Sequence, residues 1–219
     1  MDRLKLKKNL TALNIKNLLK RYGSYTVLDF MELQLDQGIY WIKGGNGTGK
    51  TTLFRILAGQ TPFSGSLTLN QIDIRKKPAA YRSMISYAEA EPSYPEYITG
   101  NDLLNYHIAV RKAMRDISDN ITARFGMTAF MDQKIGSYSS GMLKKLSLIC
   151  AFTGNVELYI LDEPLITIDT QAAEVLYSLI EEYSGRGKCF LLSSHQDIDP
   201  LRLQVKASFY IKDRKLTSC

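Results

Sequence analysis

The stretch Gly38-Ile39-Tyr40-Trp41-Ile42-Lys43-Gly44-Gly45-Asn46-Gly47-Thr48-Gly49-Lys50-Thr51 decides the reading of this chain. It opens as an apolar run of the kind buried in a sheet, and from Gly44 it satisfies G-x-x-x-x-G-K-[ST] at every fixed position. Leu53, Ile56 and Leu57 then recur at helical spacing as far as Ala58, where Gly59 stops the run. Strand, glycine-rich turn and helix in this order make a loop whose backbone N–H groups can surround an anion of several charges. Glycine suits such a loop because it turns through positive φ and has no Cβ to hold a phosphate away. Gly44, Gly45, Asn46, Gly47, Thr48 and Gly49 therefore read as the cradle of a polyphosphate. Lys50 reads as the cation for its β- and γ-phosphates and Thr51 as a hydroxyl ligand of Mg²⁺, with Thr52 beside it in the first helical turn. A glycine-rich hairpin that happens to carry Lys and Thr is the alternative; the flanking strand and helix weigh against it.

A second stretch has matching chemistry. Leu158-Tyr159-Ile160-Leu161-Asp162-Glu163-Pro164 is an apolar strand that ends in two adjacent carboxylates. Ligands of a parallel sheet collect at the carboxyl ends of its strands. Asp162 there can hold Mg²⁺, directly or through water, and Glu163 can polarise an attacking water as general base. Adjacent strand residues face opposite sides, so Glu163 has to leave the strand geometry to reach the same site. Two solvated acids at a strand end are the plain alternative. His195 follows the apolar run Cys189 to Leu192 and the pair Ser193-Ser194, again at an expected strand end, where it could contact a γ-phosphate or a water. His107 has no such context and is given no role.

Further out, strand-like runs alternate with helix-period segments, the pattern of an α/β domain with a largely parallel sheet. Leu13, Ile15, Leu33 and Leu35 predict an N-terminal antiparallel pair, and Gly65 to Leu69 and Met84 to Ala88 predict further strands. From Glu89 to Gly154 the pattern turns helical. Thr99-x-x-Asp102 reads as a capping box, followed at helical spacing by Leu103, Tyr106, Val110 and Met114. Further helices are expected over Ile117 to Phe125 and Ser140 to Thr153. Strands return at Val156 to Leu161 and Cys189 to Ser194, around a helix with the stripe Ala172, Val175, Leu176, Leu179, Ile180 and Tyr183. A last strand is expected at Ala207 to Ile211. The reading is one domain over residues 1–219: an α/β core from about 1–88 and 155–219, of P-loop NTPase type, carrying an inserted helical lobe over about 89–154.

Of 219 residues, 45% are hydrophobic and 23% charged, which excludes a disordered or fibrous chain. The longest stretch without charge, Ile56 to Ile72, holds Gln60, Thr61, Pro62 and Ser64 and is too polar to span a bilayer. Met1 to Lys8 leads into no apolar segment of a signal peptide, and Cys150, Cys189 and Cys219 read as thiols of a reducing compartment, so a cytoplasmic protein is expected. The net charge of +6 is spread over short clusters with no zinc-ligand spacing or long basic run, and nucleic acid is not an expected partner.

These residues together resemble the ATP-binding subunit of ABC transporters over nearly the whole chain. What narrows the resemblance is Tyr138-Ser139-Ser140-Gly141-Met142, placed where that family carries its L-S-G-G-Q signature. The resemblance implies ATP and Mg²⁺ as cofactors, hydrolysis by Glu163 with His195, and a head-to-tail pair in which Ser139, Ser140 and Gly141 meet the nucleotide of the other subunit. It also implies a membrane-spanning transporter subunit as partner and a peripheral place at the cytoplasmic face of the membrane. Tyr22 looks like the aromatic residue that stacks on adenine, with Tyr25 as the other choice, and Pro164 to Asp169 like the D-loop. Several positions depart from the pattern: Ala90 stands where a Mg²⁺-contacting glutamine is expected, Ser140 replaces a signature glycine and Met142 the signature glutamine, and Leu165 to Asp169 is more apolar than the usual D-loop. A soluble ATP-gated regulator and a weakly active member of a heterodimer are the alternatives.

Overall fold

In the computed structural model, which describes residues 12–194 and 202–218, the apolar run Gly38–Lys43 is strand β3. Before it come β1 (Leu13–Tyr22) and β2 (Tyr25–Leu35). After it come β4 (Ser64–Leu69), β5 (Ile72–Asp73), β6 (Ile85–Ala88), β7 (Leu158–Leu161), β8 (Cys189–Ser193), β9 (Ala207–Lys212) and β10 (Lys215–Ser218). The helices are α1 (Lys50–Leu57), α2 (Pro78–Ser83), α3 (Gly100–Arg111), α4 (Arg115–Arg124), α5 (Ser140–Phe152) and α6 (Thr170–Gly185). One sheet, ordered β2-β1-β4-β5, is antiparallel; the other, ordered β10-β9-β3-β8-β7-β6, is parallel except for β10.

The central parallel strands β3, β7 and β8 are nearly continuous apolar runs because both faces are covered. Leu158 and Ile160 of β7 face a core shared with the antiparallel sheet and with Leu53, Phe54, Ile56 and Leu57 of α1. Tyr159 and Leu161 face a second core supplied by α3 to α6. β3 divides in the same way, with Tyr40 and Ile42 in the first core and Ile39 and Trp41 in the second. In the second core Phe152 stacks on Tyr159 at 5.2 Å and Tyr159 on Phe190 at 4.8 Å between ring centroids. Such aromatic pairs add about 0.5–1.5 kcal/mol beyond their burial.

The predicted antiparallel pair forms with Leu13 opposite Leu35 and Ile15 opposite Leu33. The capping box is present: Thr99 Oγ1 accepts from the Asp102 N–H and Asp102 Oδ2 from the Thr99 N–H. Of the stripe predicted for that helix only Leu103 is buried. Leu103 and Leu104 face the core, whereas Tyr106, Val110 and Met114 are exposed. The helix stops at Arg111 because Lys112 turns left-handed at φ 51°, and Met114 is already the cap of α4. The chain also does not end on a single strand: Asp213 and Arg214, at φ 49° and 70°, close a tight hairpin from β9 into β10. Strand β7 starts at Leu158, not Val156, and α2 and β5 carry too few residues for a periodic signal.

His107 of α3 is half-buried, and burial, then the Arg111 guanidinium, push its pKa down to about 4. The unfolded chain takes up this proton near pH 6.5, so stability falls as pH drops from 6.5 towards 4 and levels off below. Urea unfolding should show a loss on the order of 2 kcal/mol across this window that His107→Gln lacks.

Candidate active site

The parallel register brings the strand ends to one edge. Ile42 lies beside Ser193, Leu192 beside Leu161, and Leu161 beside Ala88. The loop that leaves β3 enters α1 through Gly49, whose φ of 112° disfavours a side chain. A Cβ at Gly49 would also lie 3.0 Å from Val27 Cγ1 and 3.1 Å from Leu28 Cδ2. Lys50 folds back over the loop and donates to the carbonyls of Gly44 at 2.8 Å and Gly45 at 3.1 Å. Its Nζ is 4.0 Å from Glu163 Oε1. A cavity of about 360 Å³ lies over the N-terminus of α1, lined by the loop from Asn46 to Thr52 together with Ala90, Glu91, Glu163 and Ile166.

Asp162 and Glu163 are set by a single hydrogen-bonded frame. Asp162 has no solvent exposure; Ser193 Oγ donates to its Oδ1 at 2.5 Å and Tyr87 Oη to its Oδ2 at 3.4 Å. Burial, then the Asp162 charge, push the Tyr87 phenol up, so it stays a donor. Glu163 adopts φ 47° and so leaves the strand alternation. The peptide joining the two is held from both sides: its carbonyl accepts from Lys144 Nζ at 2.9 Å and its N–H donates to Ser193 Oγ at 3.0 Å. Lys144, 1% exposed, also donates to the carbonyls of Glu89 at 2.8 Å and Ala90 at 3.1 Å. Burial lowers its pKa to about 8, against the opposing pull of Asp162 and Glu163.

Ser139 caps α5, accepting from the Met142 N–H at 3.2 Å. Ser139 and Ser140 are exposed and Gly141 half-buried, and none of the three lines the cavity of its own chain. Gly141 packs against the main chain after β7: a Cβ there would lie 2.7 Å from the Thr167 carbonyl oxygen. Lys145 of the same helix pairs with Asp169, the N-cap of α6, at 2.6 Å. Tyr22 and Tyr25 face each other across the β1–β2 turn, both exposed, with Lys20 Nζ 4.2 Å from the first ring and Arg214 Cζ 5.6 Å from the second. Asp162 sits behind the cavity wall that Glu163 forms, and His195 lies outside the described residues.

Three polar residues of this frame were given no role by the sequence reading: Lys144, Ser193 and Tyr87. The signal for Lys144 was its phase: it falls on the stripe of Leu148, Ala151 and Phe152, the buried side of α5. Ser193 closes a strand that is buried at every position. Ser193→Ala would leave a buried carboxylate oxygen and a buried N–H each short of a partner. It should cost about 1–3 kcal/mol in urea unfolding, more than a surface serine replaced in parallel.

Residues 28–166 match the ABC transporter family. Among similar proteins, the cytochrome c biogenesis ATP-binding export protein CcmA of Histophilus somni is 32% identical over 181 residues, covering 80% of this chain and 83% of the relative. The protein of the same name from Reclinomonas americana is 30% identical, covering 87% and 86%. A solved ATP-binding subunit of an ABC transporter superposes with a TM-score of 0.84 at 22% identity, covering 93% of this chain and 87% of that one. A nucleotide-free ATP-binding cassette from an ABC transporter gives 0.73 at 20% identity, covering 94% and 89%. With the loop, the carboxylate strand and the helix-capping serine in one arrangement, the chain belongs to the ABC transporter family as an ATP-binding subunit.

Proposed function

We propose that this subunit binds ATP with Mg²⁺ over the loop Gly44 to Thr52, hydrolyses it from Glu163, and works as a head-to-tail pair on a membrane-spanning partner. The observation that carries the reading is the pairing of opposite charges on one cavity wall, Lys50 Nζ and Glu163 Oε1 at 4.0 Å. A γ-phosphate entering there meets a cation for its charge and a carboxylate for its nucleophile. The water oxygen attacks γ-phosphorus while the bond to the bridging oxygen breaks; ADP leaves with that electron pair and Glu163 takes the water proton. Lys50 and the N–H groups at the start of α1 offset charge on the phosphate oxygens.

The Thr51 hydroxyl on the cavity wall is an oxygen donor of the kind Mg²⁺ prefers, and the Asp162 carboxylate, which has no solvent exposure, would act on the ion through water. Ser193 already holds the Asp162 carboxylate in place. When bound, Mg²⁺ would neutralise charge on the phosphate oxygens. His195, which follows β8 by two residues, is assigned to the γ-phosphate side from its place in the sequence, and Tyr22 to adenine.

Ser139, Ser140 and Gly141 are assigned to the nucleotide of a second copy, a reading supported by their exposure away from their own cavity. The membrane partner is assigned to the helical segment, where Tyr97, Tyr106, Val110 and Met114 are each more than 60% exposed. No helix among the described residues is long and apolar enough to cross a membrane, so a peripheral position at the cytoplasmic face fits the reading. Both relatives named above are export proteins, which supports export as the direction of transport.

Lys50→Ala should weaken binding of a fluorescent ATP analogue and abolish phosphate release. Glu163→Gln should bind the analogue as the parent does and lose on the order of 10²–10⁴-fold in turnover. Turnover close to the parent's would remove Glu163 as the base. With ATP and Mg²⁺, light scattering on Glu163→Gln should report twice the subunit mass, and Lys50→Ala should stay at one.

A further inference from the structure

We infer that Lys144 is a positioning residue for hydrolysis: one buried ammonium joins the segment after β6 to the peptide that aims Glu163. This rests on the assignment of Glu163 as the base. The geometry is specific. Lys144 Nζ reaches the Asp162 carbonyl at 2.9 Å, the Glu89 carbonyl at 2.8 Å and the Ala90 carbonyl at 3.1 Å. An ammonium has three protons, so these acceptors fill its capacity. Its cost of burial is offset only while all three stay in place.

The Asp162 carbonyl belongs to the peptide whose N–H is that of Glu163, and Ser193 Oγ receives that N–H. The peptide plane is thus fixed from β8 on one side and from α5 on the other. Immediately after it Glu163 stands at φ 47°, a left-handed conformation that is disfavoured for a residue with a Cβ. Released from Lys144, the peptide can rotate towards ordinary strand geometry, and strand alternation would then take the Glu163 carboxylate off the cavity wall.

The same ammonium reaches the segment that lacks the glutamine expected at Ala90. Alanine has no side-chain oxygen, yet its main-chain carbonyl is bonded to Lys144. Displacement of Glu89 and Ala90 therefore acts on the Asp162–Glu163 peptide through one side chain, and this link needs no glutamine.

The test compares the full-length parent, Lys144→Met, Lys144→Gln and Glu163→Gln in steady-state ATPase, with binding of a fluorescent ATP analogue and thermal unfolding alongside. Methionine keeps the length and removes every donor. It should lower kcat on the order of 10²-fold, the scale of an ångström-sized misplacement, with KM and analogue affinity within about twofold. Glutamine retains an amide donor with shorter reach and should fall between. A kcat within about threefold of the parent in a folded Lys144→Met overturns the inference, as does loss of nucleotide affinity equal to the loss of turnover. Failure of both Lys144 variants to fold makes the residue purely structural and also overturns it. Parent-like turnover by Glu163→Gln defeats the assignment of the base instead, so the two failures are distinguishable.

Discussion

Asp162 is the constraint on which the reactive edge depends. A carboxylate without solvent exposure forfeits hydration worth several kcal/mol and has to be stabilised from within the protein. Its oxygens find the Ser193 hydroxyl and the Tyr87 hydroxyl, one from β8 and one from β6. These strands are the two neighbours of β7, so both side chains reach its end from within the sheet. The order of the sheet is therefore tied to the chemistry. Placing β3 on the far side of β8 then brings the glycine loop to the same edge, with Lys50 against Glu163.

The helix α5 makes the second tie. Most of its side chains fill the core against Tyr159 and Phe190, yet its first turns carry three contacts of another kind. Gly141 lets the Thr167 carbonyl approach, Lys145 pairs with Asp169 at the entry to α6, and Lys144 takes the three carbonyls beside the carboxylates. All three attach the segment after β7 or β6 to one helix. The N-terminus of α5, with its exposed serines, cannot shift without moving the main chain that carries Asp162 and Glu163.

Much of this was legible in the sequence where local rules govern. Gly38–Lys43 is a continuous apolar run because both faces of β3 are covered, and the glycines after it announce the loop. The pairing of β1 with β2 followed from strict alternation. Legibility failed where a residue's partner is distant in sequence. Lys144 reads as a solvated charge in Lys144-Lys145, and only closure of the fold brings carbonyls 55 and 54 residues away to it. Tyr106 and Val110 have helical spacing, but the face of α3 that meets the core carries Leu103, Leu104 and Ile108 instead, and Met114 lies past the end of the helix. At the hairpin Asp213 tolerates positive φ but is followed by Arg214 where a glycine usually stands, so β10 was easily missed.

The departures at Ala90 and Met142 look like losses only if side chains carry the function of those positions. At Ala90 the structure employs the main-chain carbonyl, which every residue type supplies. At Met142 the side chain packs against the core, while the N–H is the group capped by Ser139. What the start of α5 can present to a phosphate is its remaining N–H groups, its partial positive charge and the hydroxyl of Ser140. None of these depends on a glutamine. The constraint instead falls on Gly141, where the 2.7 Å approach to Thr167 leaves no room for any side chain. Ser139 and Gly141 are the signature positions at which this chain keeps the family's residues, and at Gly141 the physical reason is main-chain proximity between α5 and the segment leading to α6.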